Sequence, residues 1–114
     1  GLTIAITRDA RVGGESLPDF IERQMQDMSR QVAKFTQGKL VPATLGSGKT
    51  AFQGYKFDVG YKQDGRPVYH VQGIFGDDAS PKTLGLSFSS HAPISDEQRL
   101  LITKILTSYT THGR

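Results

Sequence analysis

The chain contains no cysteine. Disulfides and thiolate metal sites are therefore excluded, and either a reducing or an oxidising compartment is compatible with it. Long apolar runs are also missing: none approaches the roughly 20 residues that cross a bilayer. No basic-then-apolar signal segment opens the sequence. The first residue is Gly1 rather than methionine, and a strand-like run follows at once. An upstream segment is therefore expected to precede it. Charge of one sign is scarce too. Fourteen basic residues face 11 acidic ones, a net +3 spread along the chain, and no block of like charge forms a nucleic-acid arm.

What is present is one domain's worth of sequence. The 114 residues can bury roughly 65% of their unfolded surface, enough for one core. Residues 1–114 are read as a single domain. Leu2, Ile4 and Ile6 alternate with small or polar residues, predicting a strand over 2–7. Gly13-Gly14 marks a loop. Ser16 is placed to cap a helix, Pro18 is tolerated in its first turn, and Asp19 complements its dipole. Leu17, Ile21, Met25, Met28, Val32 and Phe35 step by three and four, predicting a helix over about 17–35.

Strands are then expected at 39–45, 51–63, 67–75 and 83–89. Asp64-Gly65 is a two-residue hairpin signal, because both residues accept the positive φ such turns require. Ser95 with Gln98 makes a capping box for a last helix, whose expected stripe is Leu101, Ile105 and Tyr109, widened by Ile102 and Leu106. The tail from Thr110 reads as frayed. The predicted order is strand, helix, four strands, helix: an α+β fold with an antiparallel sheet and both amphipathic helices on one of its faces.

Catalytic motifs do not assemble. Ala43 to Thr50 fits a relaxed phosphate-loop pattern, but a phosphate loop needs a helix starting near Lys49, and the residues that follow alternate as a strand. Gly46, Ser47 and Gly48 read as a turn. His70, His91 and His112 are too dispersed for a metal site. Ser89, Ser90 and His91 are adjacent, so their side chains diverge, and Asp77-Asp78 reads as a solvated turn. The chain is therefore expected not to be an enzyme and to need no cofactor.

Two amides stand out. Gln24 borders the apolar stripe of the first helix, one turn after Phe20, and Gln31 lies two turns further on. Gln72 sits on a strand where Val68, His70, Gln72 and Ile74 share one face and Tyr69, Val71 and Phe75 the other. An amide donates and accepts at once, so it suits a small polar residue or exposed backbone on a partner helix. The plain alternative is that Gln24 is surface filler and Gln72 faces water.

The segments Leu2 to Asp9, Leu17 to Gln24 and Gln31 to Phe35, with the Asp64-Gly65-Arg66 turn and the strand bearing Gln72, together resemble the DcrB-related family. Within it they are most similar to the effector-associated (Eag) chaperones of bacterial type VI secretion. In the family the helix ends on a Lys-Gln-x-x-x-Phe-like pattern with a proline-glycine before the aromatic. Here Gln31 and Phe35 remain, and Ala33-Lys34 replace the pair. The resemblance implies a PsbP-like fold, a homodimer, no enzymatic activity and a cytoplasmic location. It further implies binding of the apolar N-terminal transmembrane segments of a secreted toxin effector. Gln24 and Gln72 match the family's groove glutamines, with Phe20, Val68, His70 and Ile74 as neighbouring contacts. The family's N-terminal strand, which carries branched aliphatics, is expected upstream of Gly1. The same fold also serves envelope-associated accessory proteins such as DcrB itself, which is the alternative reading.

Overall fold

The computed structural model describes residues 2–77 and 79–109. Asp78, His112 and the tail from Thr110 lie outside them. Strand β1 spans Thr3–Ala10. Helix α1 spans Leu17–Ser29, and the Ser16 hydroxyl accepts a hydrogen bond from the Asp19 amide at 3.2 Å. That bond satisfies one of the first-turn donors that no helical carbonyl can reach.

The helix ends earlier than its periodicity predicts. The amides of Arg30 and Gln31 close the last turn on Asp27 and Met28, Lys34 takes a left-handed φ of 55°, and Ala33–Gln37 forms strand β2. Phe35 still packs on the cluster built by Phe20, Ile21 and Met25. The apolar spacing thus recorded which cluster Phe35 joins, not the backbone that carries it. A five-residue strand hydrogen-bonded to a neighbour satisfies its backbone as well as a further helical turn does.

Strand β3 spans Val41–Leu45, β4 Phe52–Gln63, β5 Arg66–Gly76 and β6 Lys82–Ser90. Asp64 and Gly65 turn between β4 and β5 with φ of 53° and 78°, as the hairpin signal predicts. The other glycine-rich turn leads into three 3-10 residues, Gly48–Thr50, and then directly into β4. Lys49 therefore does not open a long helix. Helix α2, Asp96–Ser108, begins on the expected capping box, with both Ser95–Gln98 bonds present at 3.1 and 2.9 Å.

The six strands form one antiparallel sheet in the order β1-β6-β5-β4-β2, and β3 shares the β4 edge with β2. This is the α+β architecture expected, with two differences: the extra strand β2, and the placement of the helices. They do not share a face. Phe20, Ile21 and Met25 of α1 pack on Phe57, Val59 and Ile74. Ile102 and Leu106 of α2 pack on Val71, Phe75, Leu86 and Phe88. Ile74 and Phe75 are neighbours on β5, so their side chains leave the sheet on opposite sides. With both faces of β5 apolar at this end, one helix could cover only half of what must be buried. The stripe of α2 is also rotated from its expected centre: Leu101 is 50% exposed, while Ile102 and Leu106 are buried.

Candidate functional site

Helix α1 covers the β4–β5 part of its face and leaves β6 and β1 open. Strand register fixes what is exposed there. Gln72 stands opposite Ser87 and Ile74 opposite Gly85; Ser87 in turn faces Ala5, Gly85 faces Thr7 and Thr83 faces Asp9. This half of the face is floored by small or hydroxyl-bearing residues. The reverse side of the same strands carries Leu84, Leu86 and Phe88, packed with α2. The result is a groove of about 330 Å³ with α1 as one wall and the β1–β6 floor beside it.

Five of the six residues expected at a binding site line this groove: Phe20, Gln24, His70, Gln72 and Ile74. Gln31 joins them from the turn after α1, and Met25 and Met28 extend the apolar wall. Val68 does not line it. It is buried near the far end of β5, paired with Tyr61 across the hairpin. Gln72 does not face water either: it is only 8% exposed. Thr83, Ser87, Asp9 and Asp27 also line the groove and were not anticipated. The convergence of Asp9, Thr83 and Ser87 depends on the pairing of β1 with β6, for which the chain carries no local signal.

A chain of hydrogen bonds sets the protonation of the groove's inner end. Gln72 Nε2 lies 3.2 Å from His70 Nδ1, and His70 Nε2 lies 3.1 Å from the Tyr61 hydroxyl. An amide nitrogen can only donate, so Nδ1 accepts, the neutral ring carries its proton on Nε2, and that N–H points to Tyr61. Burial pushes the His70 pKa down and the Tyr61 pKa up, since both lose hydration of their charged forms. The Tyr61 and His70 rings also meet edge to face, with centroids 5.2 Å apart.

With its nitrogen committed to His70, the Gln72 oxygen has no partner among the described residues and faces the groove. On the far side of Phe20, Arg23 clamps Glu15 with two bonds of 2.9 Å and stacks 5.3 Å from the Phe20 ring centroid. That clamp holds the Glu15 carboxyl below its usual range and anchors the aromatic that closes one side of the groove.

The other expected motifs lie elsewhere. Lys49 borders a second recess, of about 820 Å³, beside the first turn of α1. His91 Nδ1 lies 3.0 Å from the Pro67 carbonyl, and the Ser90 hydroxyl accepts from the Ala92 amide. The Asp77 carboxylate accepts from the Ala79 amide. No helix among the described residues is long and apolar enough to cross a membrane.

The sequence pattern of the DcrB family matches residues 1–108. No curated protein matches the chain. Among solved structures, one of a Pseudomonas aeruginosa protein of unknown function superposes with a TM-score of 0.73 at 14% identity. The match covers 99% of this chain and 74% of that one. At that identity the likeness is one of fold.

Proposed function

The chain belongs to the DcrB family, and from that premise we propose that it is a non-enzymatic chaperone for the apolar N-terminal transmembrane segments of a type VI secretion effector. The observation that carries this reading is the convergence of Gln24, Gln72, Phe20, His70 and Ile74 on one open groove. Apolar helices in water expose surface costing roughly 25 cal/mol per Å². Along the groove's apolar wall Met28 is the half-exposed contact, and Phe20, Met25 and Ile74, buried against the sheet, back it. The floor of Gly85, Ser87 and Thr7 lets a backbone approach closely, as small residues do between membrane helices. The amides fix register in the helix-in-groove mode. The proposal includes a cytoplasmic site of action and a homodimer, both drawn from the family resemblance.

Co-expression tests it. The chain and the N-terminal apolar segments of an effector encoded beside it should co-purify from a detergent-free lysate, and the segments alone should sediment. Segments that remain insoluble with the chain present would sink the proposal. Recovery of the native protein from the envelope fraction would favour the accessory reading instead.

A further inference from the structure

The two amides at the groove are not equally free. Gln24 is half-buried with no hydrogen bond among the described residues, so either end of its amide can turn to a ligand. Gln72 is 8% exposed, and its nitrogen lies 3.2 Å from His70 Nδ1. His70 is tied in turn to Tyr61, whose hydroxyl lies 3.1 Å from Nε2. Strand pairing builds this row. Tyr61 stands opposite Val68 and His70 opposite Val59, so the phenol meets the ring diagonally across the β4–β5 pair. Gln72 follows His70 by two residues and shares its face.

Such a row can run in only two directions, because a neutral imidazole has one N–H and one lone pair. In the first, Nε2–H donates to Tyr61, Nδ1 accepts from the amide, and the amide oxygen is turned to the groove. In the second, the Tyr61 hydroxyl donates to Nε2, Nδ1–H donates to the amide oxygen, and the amide nitrogen is turned to the groove. The two present opposite chemistry to a ligand, and the structure adopts the first. The oxygen left over sits on a nearly buried side chain. A ligand that covers it without donating leaves it unpaired, which costs binding.

We propose that Tyr61 and His70 are positioning residues that hold Gln72 as an acceptor, so the groove takes an apolar helix bearing a hydrogen-bond donor, such as a serine or threonine hydroxyl, over one bearing an acceptor alone. This rests on the chaperone reading and adds the chemistry the helix must carry. Acid reverses the selection. Protonation gives both ring nitrogens an N–H, so the amide must turn its oxygen to His70 and its nitrogen to the groove. Tyr61 is the titratable group that β4 sets against the ring, and β6 opposes it with Ser89. Asp27 of α1 and Asp9 of β1 line the same groove.

Paired peptides test it. Two dye-labelled Leu/Ala helices of about 18 residues differ at one central position: serine, or O-methylserine, which accepts but cannot donate. At pH 7.5 the wild-type chain should bind the serine peptide about three- to tenfold more tightly, the usual worth of one hydrogen bond. In His70→Phe, its fold checked by circular dichroism, the ratio should fall to what the extra methyl group alone imposes. In Tyr61→Phe, where the ring is no longer held to one tautomer, it should lie between. The wild-type ratio should also fall once NMR of the ring carbons shows His70 protonated. The peptides carry equal charge, so titration of the carboxylates moves both alike. A wild-type ratio of one, or a ratio that His70→Phe and protonation of the ring both leave unchanged, overturns the proposal and leaves the chaperone reading intact. Failure to bind either peptide overturns both.

Discussion

Gln72 and His70, two residues apart on β5 and on the same face, are joined by a 3.2 Å hydrogen bond from the amide to Nδ1. The bond fixes the ring as the Nε2–H tautomer and leaves the amide oxygen as the free atom. Nitrogen-15 NMR of the histidine rings should show His70 protonated on Nε2 near neutral pH. Gln72→Leu should remove that bias. A predominantly Nδ1–H ring in the wild type would show that the amide is turned the other way.

Burial of the same ring makes the groove sensitive to acid. Burial lowers the His70 pKa below its ordinary value. As pH falls through about 6.5, the unfolded chain takes up a proton that the folded one resists. The unfolded state then binds more protons, so stability declines with falling pH until the lower folded pKa is passed. Protonated His70 also cannot accept from Gln72. Thermal melts at about pH 7.5 and 5.5 should show a larger drop in Tm for wild type than for His70→Phe, which does not titrate. Equal drops would mean other groups carry the effect.

Gly54 has no room for a side chain. A Cβ there would stand 2.8 Å from the Phe75 Cα and ring, and Phe75 is 1% exposed in the α2 cluster. Gly54→Ala should cost about 1–3 kcal/mol, the usual range for overpacking. Urea denaturation reads this directly, and a loss below about 0.5 kcal/mol, typical of a surface change, would mean the strand relaxes freely.

Ile21 is fully buried where α1 meets the sheet. Ile21→Ala should lose about 2–5 kcal/mol from the transfer term and the cavity together. A comparable cost for Leu101→Ala is not expected, because Leu101 is 50% exposed. Equal losses for the two variants would show that the buried stripe of α2 is misplaced.

Arg99 of α2 holds Asp58 of β4 through two bonds of 3.0 and 2.9 Å. The pairing raises the Arg99 pKa, chiefly through that hydrogen bond. About half of each side chain remains exposed, so water discounts its value. A double-mutant cycle on Arg99→Ala and Asp58→Ala should give a coupling of about 0.2–1 kcal/mol that weakens with salt.

Much of the fold was legible because it rests on local chemistry. The Asp64-Gly65 turn, the Ser16 cap and the Ser95–Gln98 box each close over a few residues. Period-two alternation placed Gln72 and His70 on one face of β5, and helical periodicity put Gln24 beside Phe20. Five of the six anticipated site residues consequently meet in one groove. The end of α1 was not legible, since Val32 and Phe35 continue the helical spacing while Val32 lies in the bend after the helix and Phe35 in strand β2, which pairs with β4.

The sequence by itself determined the turns, which side chains share a face along each strand, and the element types except over residues 30–35, because each depends on neighbours within a few residues. Only the tertiary structure decided that the helices take opposite faces, that β1 pairs with β6, and that Asp9 and Thr83 meet at one end of the groove. The physical reason is range. Strand pairing gains backbone hydrogen bonds whose geometry is nearly independent of side-chain identity, so partners distant in the chain carry little mark of one another. Which strand lies beside which is settled by the burial of the whole sheet between two helices, and the open half of one face is what that burial leaves over.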